Sequence, residues 1–283
     1  MNNFLVVVNP DKDENLAVTL KIKETLEAHG AFCRIKKDYD LNINNNLTEE
    51  IIGDAECILV LGGDGTLLHV AGETENMDIP LLGINLGTVG FLTECEVSNI
   101  ESMISRLLSD DFSIEERMMI KGVVNSASGL RYMKRALNDI VITRAGFSRI
   151  IGLEVYVDGQ VLDTYEADGV VVCTPTGSTG YNLSAGGPIV SPDASLIVIT
   201  PVSPHSLTAK SIVLSGNEKI SIVIAKKRKT QETEAIVSFD GASGMGLSVG
   251  DRVDIYKSGK ITKLIKMSDI NFYEILRNKL GGN

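Results

Sequence analysis

Leu61-Gly62-Gly63-Asp64-Gly65-Thr66 is the segment of this chain best suited to chemistry. It lies between an uninterrupted apolar run at residues 57–61 and a helical pattern that begins at residue 66. That junction is the carboxyl end of a strand, where open α/β sheets bind ligands. Glycines let the backbone pass a phosphate chain with no Cβ in the way, and the helix that follows offers unpaired N–H groups and its dipole. Gly62, Gly63, Gly65 and Thr66 would then shape a phosphate loop. Asp64 beside it could take a proton from an attacking hydroxyl, or hold a metal ion that bridges phosphates.

Two other groups suit a nucleotide. Asn138-Asp139 opens a strand-like run and supplies the paired acceptors that a cis-diol asks for. Thr179, Tyr181 and Ser184 lie in a glycine-rich stretch and combine an aromatic wall with polar groups, as a planar base requires. Asp168-Gly169 taken alone reads as a turn.

The elements that must carry these residues fall into two textures. Residues 4–8, 31–35, 57–61 and 81–84 are short, continuously apolar runs. Helical patterns separate them, at 14–28 (stopping at His29-Gly30) and from 66 to 72. Ser98-Asn99-Ile100-Glu101 reads as a capping box that opens a helix through Leu108. Apolar strands alternating with helices predict a parallel sheet covered on both faces.

After residue 112, short Val- and Ile-rich runs take over, at 112–124, 131–136, 140–143, 152–157, 161–165 and 169–173. More follow at 196–200, 212–214, 219–224, 235–239 and 252–256. Asp158-Gly159 marks a hairpin, and Lys257-Ser258-Gly259 reads as a turn into a last run at 260–266. Residues 226–234 read as a charged hairpin tip. The fold class expected is an α/β N-terminal domain with a parallel sheet, then an all-β C-terminal domain of stacked sheets. A C-terminal helix at 271–280 returns to the first domain. The expected division is 1–112 with 268–283, and 113–267.

Composition removes several function classes. The 283 residues carry 27 Lys and Arg against 37 Asp and Glu, a net charge of −10, which argues against a nucleic-acid binder with a basic face. Apolar runs fall far short of a bilayer span, and no secretory leader pattern opens the sequence. Cysteines 33, 57, 95 and 173 show no CxxC spacing and are read as buried free thiols of a reducing cytoplasm. Three scattered histidines do not make a zinc site.

GGDGT at 62–66 resembles a signature shared by NAD kinases, lipid kinases of the diacylglycerol and sphingosine type, and phosphofructokinases. The rest of the chain is similar to NAD kinases. Residues 82–93 (LGINLGTVGFLT), 136–141 (ALNDIV) and Asp168-Gly169 fit that pattern, as do 174–181 (TPTGSTGY) and 184–188 (SAGGP). So do 204–207 (PHSL) and Phe239-Asp240-Gly241. Lipid kinases lack the TGST and AGGP segments, and a hydrophobic acceptor would need an apolar groove where 176–187 is polar. A third reading, a sensor that keeps the pocket without catalysis, is opposed by the intact Asp64.

The resemblance implies transfer of the ATP γ-phosphoryl group to the 2′-hydroxyl of the adenosine ribose of NAD, giving NADP. It further implies Mg²⁺ or another divalent cation with ATP, and a homodimer or homotetramer. By the same resemblance Asp64 is general base or orienting carboxylate, and Leu68 and Phe91 line the adenosine pocket. Asn138 and Asp139 bind the ribose hydroxyls, Asp168 meets an amide on the nicotinamide side or of a neighbouring site, and Thr179, Tyr181 and Ser184 recognise adenine. The chain departs from the family pattern at Asp139, where Glu is frequent, at Gly180, where Ala is common, and at Lys210, where Arg is common.

Overall fold

Four apolar runs near the N-terminus form a parallel sheet, because strands buried on both faces need no polar side. They are β1 (Asn3–Val8), β2 (Phe32–Lys36), β3 (Cys57–Gly62) and β4 (Leu81–Asn85), in the order β4-β3-β1-β2. A two-residue strand, β5 (Cys95–Glu96), pairs in parallel with β4. The computed structural model describes residues 1–37, 39–40, 46–87, 90–146, 150–206, 208–226, 235–268 and 270–281. It divides into one unit of Met1–Arg117 with Thr262–Asn283, and a second of Met118–Ile261. Among the described residues no helix is long and apolar enough to cross a membrane.

In the first unit, helices α1 (Ala17–Ala28), α2 (Glu49–Ile52), α3 (Asp64–Glu73) and α4 (Ile100–Leu108) connect the strands. Ile22 and Leu26 of α1 and Met103, Ile104 and Leu107 of α4 pack against Phe4, Val6, Leu59 and Leu82 in one core. α1 begins three residues later than its periodicity suggests, because Asn15 (φ 56°) and Leu16 (φ 57°) are left-handed and interrupt the helical run, and Asp13 supplies acceptors to the first turn that follows. The buried Asp13 carboxylate accepts from Val18 N (3.0 Å), Thr19 N (2.8 Å) and Thr19 Oγ1 (2.6 Å). The expected capping box at 98–101 does not form. A 3-10 turn at Val97–Asn99 leads straight into α4, and Asn99 at the N-cap makes no side-chain cap bond.

β1 leads to β2 on one side of the sheet, while β3 lies on the other side of β1. The gap between the carboxyl ends of β1 and β3 is therefore the topological switch point of the sheet.

The second unit is all-β apart from short helical turns. Its strands are β6 (Ser113–Asn125), β7 (Arg131–Ala136), β8 (Asp139–Arg144), β9 (Ile151–Val157), β10 (Gln160–Ala167) and β11 (Gly169–Cys173). β12 (Leu196–Val202), β13 (Ile212–Ser215), β14 (Ile220–Ala225), β15 (Ala235–Phe239), β16 (Ala242–Leu247) and β17 (Arg252–Lys266) follow, with β6 before Met118 and β17 after Ile261 counted in the first unit. A six-stranded antiparallel sheet runs β13-β12-β11-β8-β15-β16. Ile140, Ile142, Val170, Val172, Ile197 and Ile199 from it share a core with Leu153, Val155, Ile222 and Val253 of a second antiparallel set. The alternate residues Val141, Val171, Cys173 and Val198 form another apolar cluster with Val190. Both faces of this sheet are thus covered, which explains antiparallel strands that read as continuous apolar runs.

Asp158 (φ 48°) and Gly159 (φ 80°) make the expected β9–β10 hairpin turn. Lys257-Ser258-Gly259 is not a turn but the middle of β17. Residues 227–234 of the charged segment lie outside the described residues, as do Thr88, Val89 and Leu207. All four cysteines are buried free thiols. The last helix, α6 (Phe272–Leu280), starts at Asn271, whose side chain accepts from Glu274 N at 3.0 Å. It returns to the first unit, with Lys279 Nζ 4.8 Å from the centre of the Phe91 ring.

Candidate functional site

β3 ends at Gly62, Gly63 turns in extended conformation, and α3 starts on Asp64. The Asp64 carboxylate is gripped at both oxygens. Oδ2 accepts from Phe91 N at 2.8 Å and Oδ1 from Leu92 N at 3.1 Å. Gly90 makes that grip possible, since a Cβ there would overlap the carboxylate. Each oxygen keeps one lone pair, so the group is fixed in direction yet able to accept another proton or bond.

The glycines of the loop have different causes. A Cβ on Gly62 would run into Thr66, so this glycine answers to packing. A Cβ on Gly65 would meet nothing within 4 Å, and one on Gly63 would meet only Lys12 Nζ, at 3.0 Å. Thr66 N turns back to Gly63 O at 3.0 Å. Leu68 is half-buried on α3.

In the second unit, Asn138 and Asp139 lie just ahead of and at the start of β8. Asp240 fixes their backbone. Its carboxylate accepts from Leu137 N (2.7 Å), Asn138 N (2.7 Å) and Asp139 N (3.0 Å). The main chain of Asn138 is also tied to the TPTGST segment, as Thr174 N donates to Asn138 O at 2.9 Å. Gly177 packs so closely on Asn138 that a Cβ would overlap its carbonyl.

The side chains, by contrast, are left open. Asn138 Oδ1 is buried with no hydrogen-bond donor. Asp139 is buried, and burial followed by the neighbouring charge of Asp240 pushes its carboxyl up to about 7. The Asp240 carboxyl is also raised, chiefly because it has lost water, while its three N–H partners pull the other way.

The segment read as a glycine-rich loop is two short helical turns, Thr176–Thr179 and α5 (Tyr181–Ser184). Fully buried Asn182 holds them, donating to Ser178 O (3.1 Å) and Pro188 O (2.9 Å) and accepting from Thr200 Oγ1 (2.7 Å). Thr179 Oγ1 reaches Thr176 O at 3.3 Å, and Ser184 is exposed at the end of α5. Tyr181 and Asp168 line one open pocket of about 520 Å³ with Thr143, Arg144, Gly146 and Val202. Arg144 Nε donates to Asp168 Oδ1 at 2.7 Å, a partner that sequence reading did not supply.

Sequence reasoning also passed over Lys12, Asn182 and the role of Asp240. Only Asp240 carried a legible signal, as an Asp-Gly pair before a possible strand.

Comparison with known proteins follows this division. Residues 4–112 match the ATP-NAD kinase N-terminal domain, and residues 137–267 match the ATP-NAD kinase C-terminal domain. The class is that of nucleotide-dependent kinases, which are phosphotransferases. An NAD kinase of Lachnoclostridium phytofermentans is 45% identical over 283 residues, covering 99% of both chains. The chain belongs to the NAD kinase family, whose reaction is the phosphorylation of NAD to NADP.

Two solved structures share the fold. An Archaeoglobus fulgidus NAD kinase in complex with ATP has a TM-score of 0.77 at 26% identity, covering 98% of each chain. Yeast NADH kinase complexed with NADH has a TM-score of 0.90 at 24% identity, covering 100% of this chain and 88% of that one.

Proposed function

We propose that Asn138 and Asp139 hold the adenosine ribose of NAD and that Asp64 receives the proton of its 2′-hydroxyl. The single observation that carries the first half is the buried, donor-free Asn138 Oδ1. A native protein seldom leaves such an atom unpaired without a reason. A ribose hydroxyl would supply the missing donor. Asp139 adjoins it with a buried carboxylate, so the two present paired acceptors to a diol.

For the transfer, the 2′-oxygen attacks the γ-phosphorus of ATP as the bond from that phosphorus to the ADP oxygen breaks. The hydroxyl proton passes to the Asp64 carboxylate, and ADP leaves with the electron pair. The two backbone N–H bonds hold the carboxylate still, so little reorganisation is needed when the proton moves. Gly63 and Gly65 form the phosphate loop, and Leu68 and Phe91 line the adenosine pocket. Thr179, Tyr181 and Ser184 meet the adenine, and Asp168, oriented by Arg144, meets the nicotinamide-side amide.

Among the described residues no cluster of three His, Cys, Asp or Glu side chains forms a metal cage. Mg²⁺ or a similar cation binds through one or two carboxylates and substrate phosphates rather than through a protein cage. Asp64 is the carboxylate that would hold it, and the cation would neutralise charge on the ATP phosphates. Four buried free thiols suit a reducing cytoplasm, and the exposed Tyr181 and Ser184, beside a largely buried stretch, suit a surface shared in a homodimer or homotetramer.

Asn138→Ala tests the reading. NAD affinity by calorimetry should fall roughly tenfold, the worth of one or two hydrogen bonds. Unchanged affinity in a folded variant would remove Asn138 from the ribose site.

A further inference from the structure

The loop after β1 places a cation at the sheet's switch point, opposite the loop that carries Asp64. Asn9 N continues the ladder to Leu61 O at 3.0 Å, and Asn9 Oδ1 accepts from Asp11 N at 3.0 Å. Asn9 O in turn accepts from Lys12 N at 3.0 Å, and the next residue, Asp13, is the buried cap of α1. Lys12 is thus fixed on both sides by buried residues, although its own side chain is exposed. Its ammonium has no carboxylate partner among the described residues. It is the one group within 4 Å of the space a Cβ on Gly63 would take.

An unpaired ammonium beside glycines that open outward, at the carboxyl ends of two parallel strands, is matched to an anion. Electrostatics among the protein's own groups does not require it there. Asp64, the residue after Gly63, is already held by two backbone amides. From this geometry we infer that Lys12 contacts the phosphate chain of the donor nucleotide, binding the β- or γ-phosphate as a point charge. The inference deepens the phosphate-loop reading and rests on it.

Lys12 could also serve the pyrophosphate of NAD, since the chemistry is the same, so the experiment separates the two sources. Lys12→Met keeps the aliphatic stem and removes the charge, while Lys12→Arg keeps the charge. With NAD saturating, Lys12→Met should lower kcat/KM for ATP by about 10- to 100-fold, the range of one charged hydrogen bond, and Lys12→Arg should recover most of it. Inorganic tripolyphosphate should compete with ATP less well in Lys12→Met by a similar factor. NAD affinity measured by calorimetry without ATP should stay within twofold, and the thermal midpoint should not move.

A kcat/KM for ATP within threefold of the parent overturns the inference. So does a fall in NAD affinity that matches the kinetic loss, which would assign Lys12 to the dinucleotide. Asp64→Asn assayed in parallel separates this failure from a wider one. If Asp64→Asn is inactive and Lys12→Met is normal, only the Lys12 contact is wrong. If both are normal, the phosphate-loop reading falls with it.

Discussion

Asp64 and Asp139 are both carboxylates proposed to face the same substrate, and they live under opposite conditions. Asp64 is half-exposed, and both of its oxygens accept backbone N–H groups from a loop that closes on it through Gly90. Asp139 is buried and faces the charge of Asp240, while its neighbour Asn138 keeps a buried oxygen with no donor. The first arrangement is finished before any ligand arrives. The second is a set of unmet acceptors. The contrast supports the proposed division, with chemistry at the held group, which must not move, and recognition at the unsatisfied one, which gains most from a partner.

The sharpest way to break that contrast is Asp64→Asn. Turnover should fall about 10²- to 10⁴-fold as the proton acceptor is lost, with NAD affinity within a few-fold when both are measured on one preparation. The amide also turns an NH₂ toward either Phe91 N or Leu92 N, so a modest drop in thermal midpoint accompanies the loss. Turnover within threefold of the parent would sink the base assignment. Loss of NAD binding together with turnover would move Asp64 to the recognition side.

A middle-sized effect should come from pH. Asp139 titrates near 7 because burial, and then Asp240, disfavour its charge. Cys173 and, beyond Asp240, Lys134 are the other titratable groups coupled to the pair. Ribose hydroxyls donate better to the ionised form, so NAD affinity should rise several-fold between pH 6 and pH 8. Stability runs the other way. The folded state holds its proton above the ordinary carboxylate value of about 3.9, so this contribution is full below pH 4 and is lost as pH rises through 7. Calorimetry and thermal scans on Asp139→Asn should show both slopes flattened. Unaltered slopes would clear Asp139 of either role.

The smallest effect is expected at Gly180. A Cβ there would sit 3.4 Å from Gly177 O and 3.5 Å from Asn138 Nδ2, which is tolerable, but ψ is −130°, off the main extended region. Gly180→Ala should change stability by less than about 1 kcal/mol in thermal unfolding. A loss above about 2 kcal/mol would show that the turn depends on glycine.

The sequence displayed its strands well, because runs such as 57–61 and 169–173 are apolar throughout and bounded by glycine or polar residues. It misled where local chemistry yields to pairing. Lys257-Ser258-Gly259 looks like a turn, yet β17 runs through it. The β16 strand was passed over although Asp240 (φ 50°) and Gly241 (φ 70°) form the same kind of hairpin turn as Asp158-Gly159. The GGDGT motif was legible by itself, because its position after a buried strand carries the reason for it. Lys12 was not. Its relation to Gly63 arises from the pairing of β1 with β3, across about fifty residues of chain.

Gly90, Gly177 and Gly187 each face an atom that a single added carbon would overlap: the Asp64 carboxylate, the Asn138 carbonyl and the Asn182 amide. Gly65 faces nothing. Mutational drift therefore meets two kinds of barrier in this protein. At 177 the added carbon would meet backbone, so the bar to change is set by the folded chain even under selection for solubility alone, whereas at 90 and 187 it lasts as long as the Asp64 and Asn182 side chains are kept. At 65 the fold sets no such bar, so the phosphate-loop role proposed for it is what would keep the residue, and glycines 65 and 177 would part company in a lineage that no longer needed the reaction.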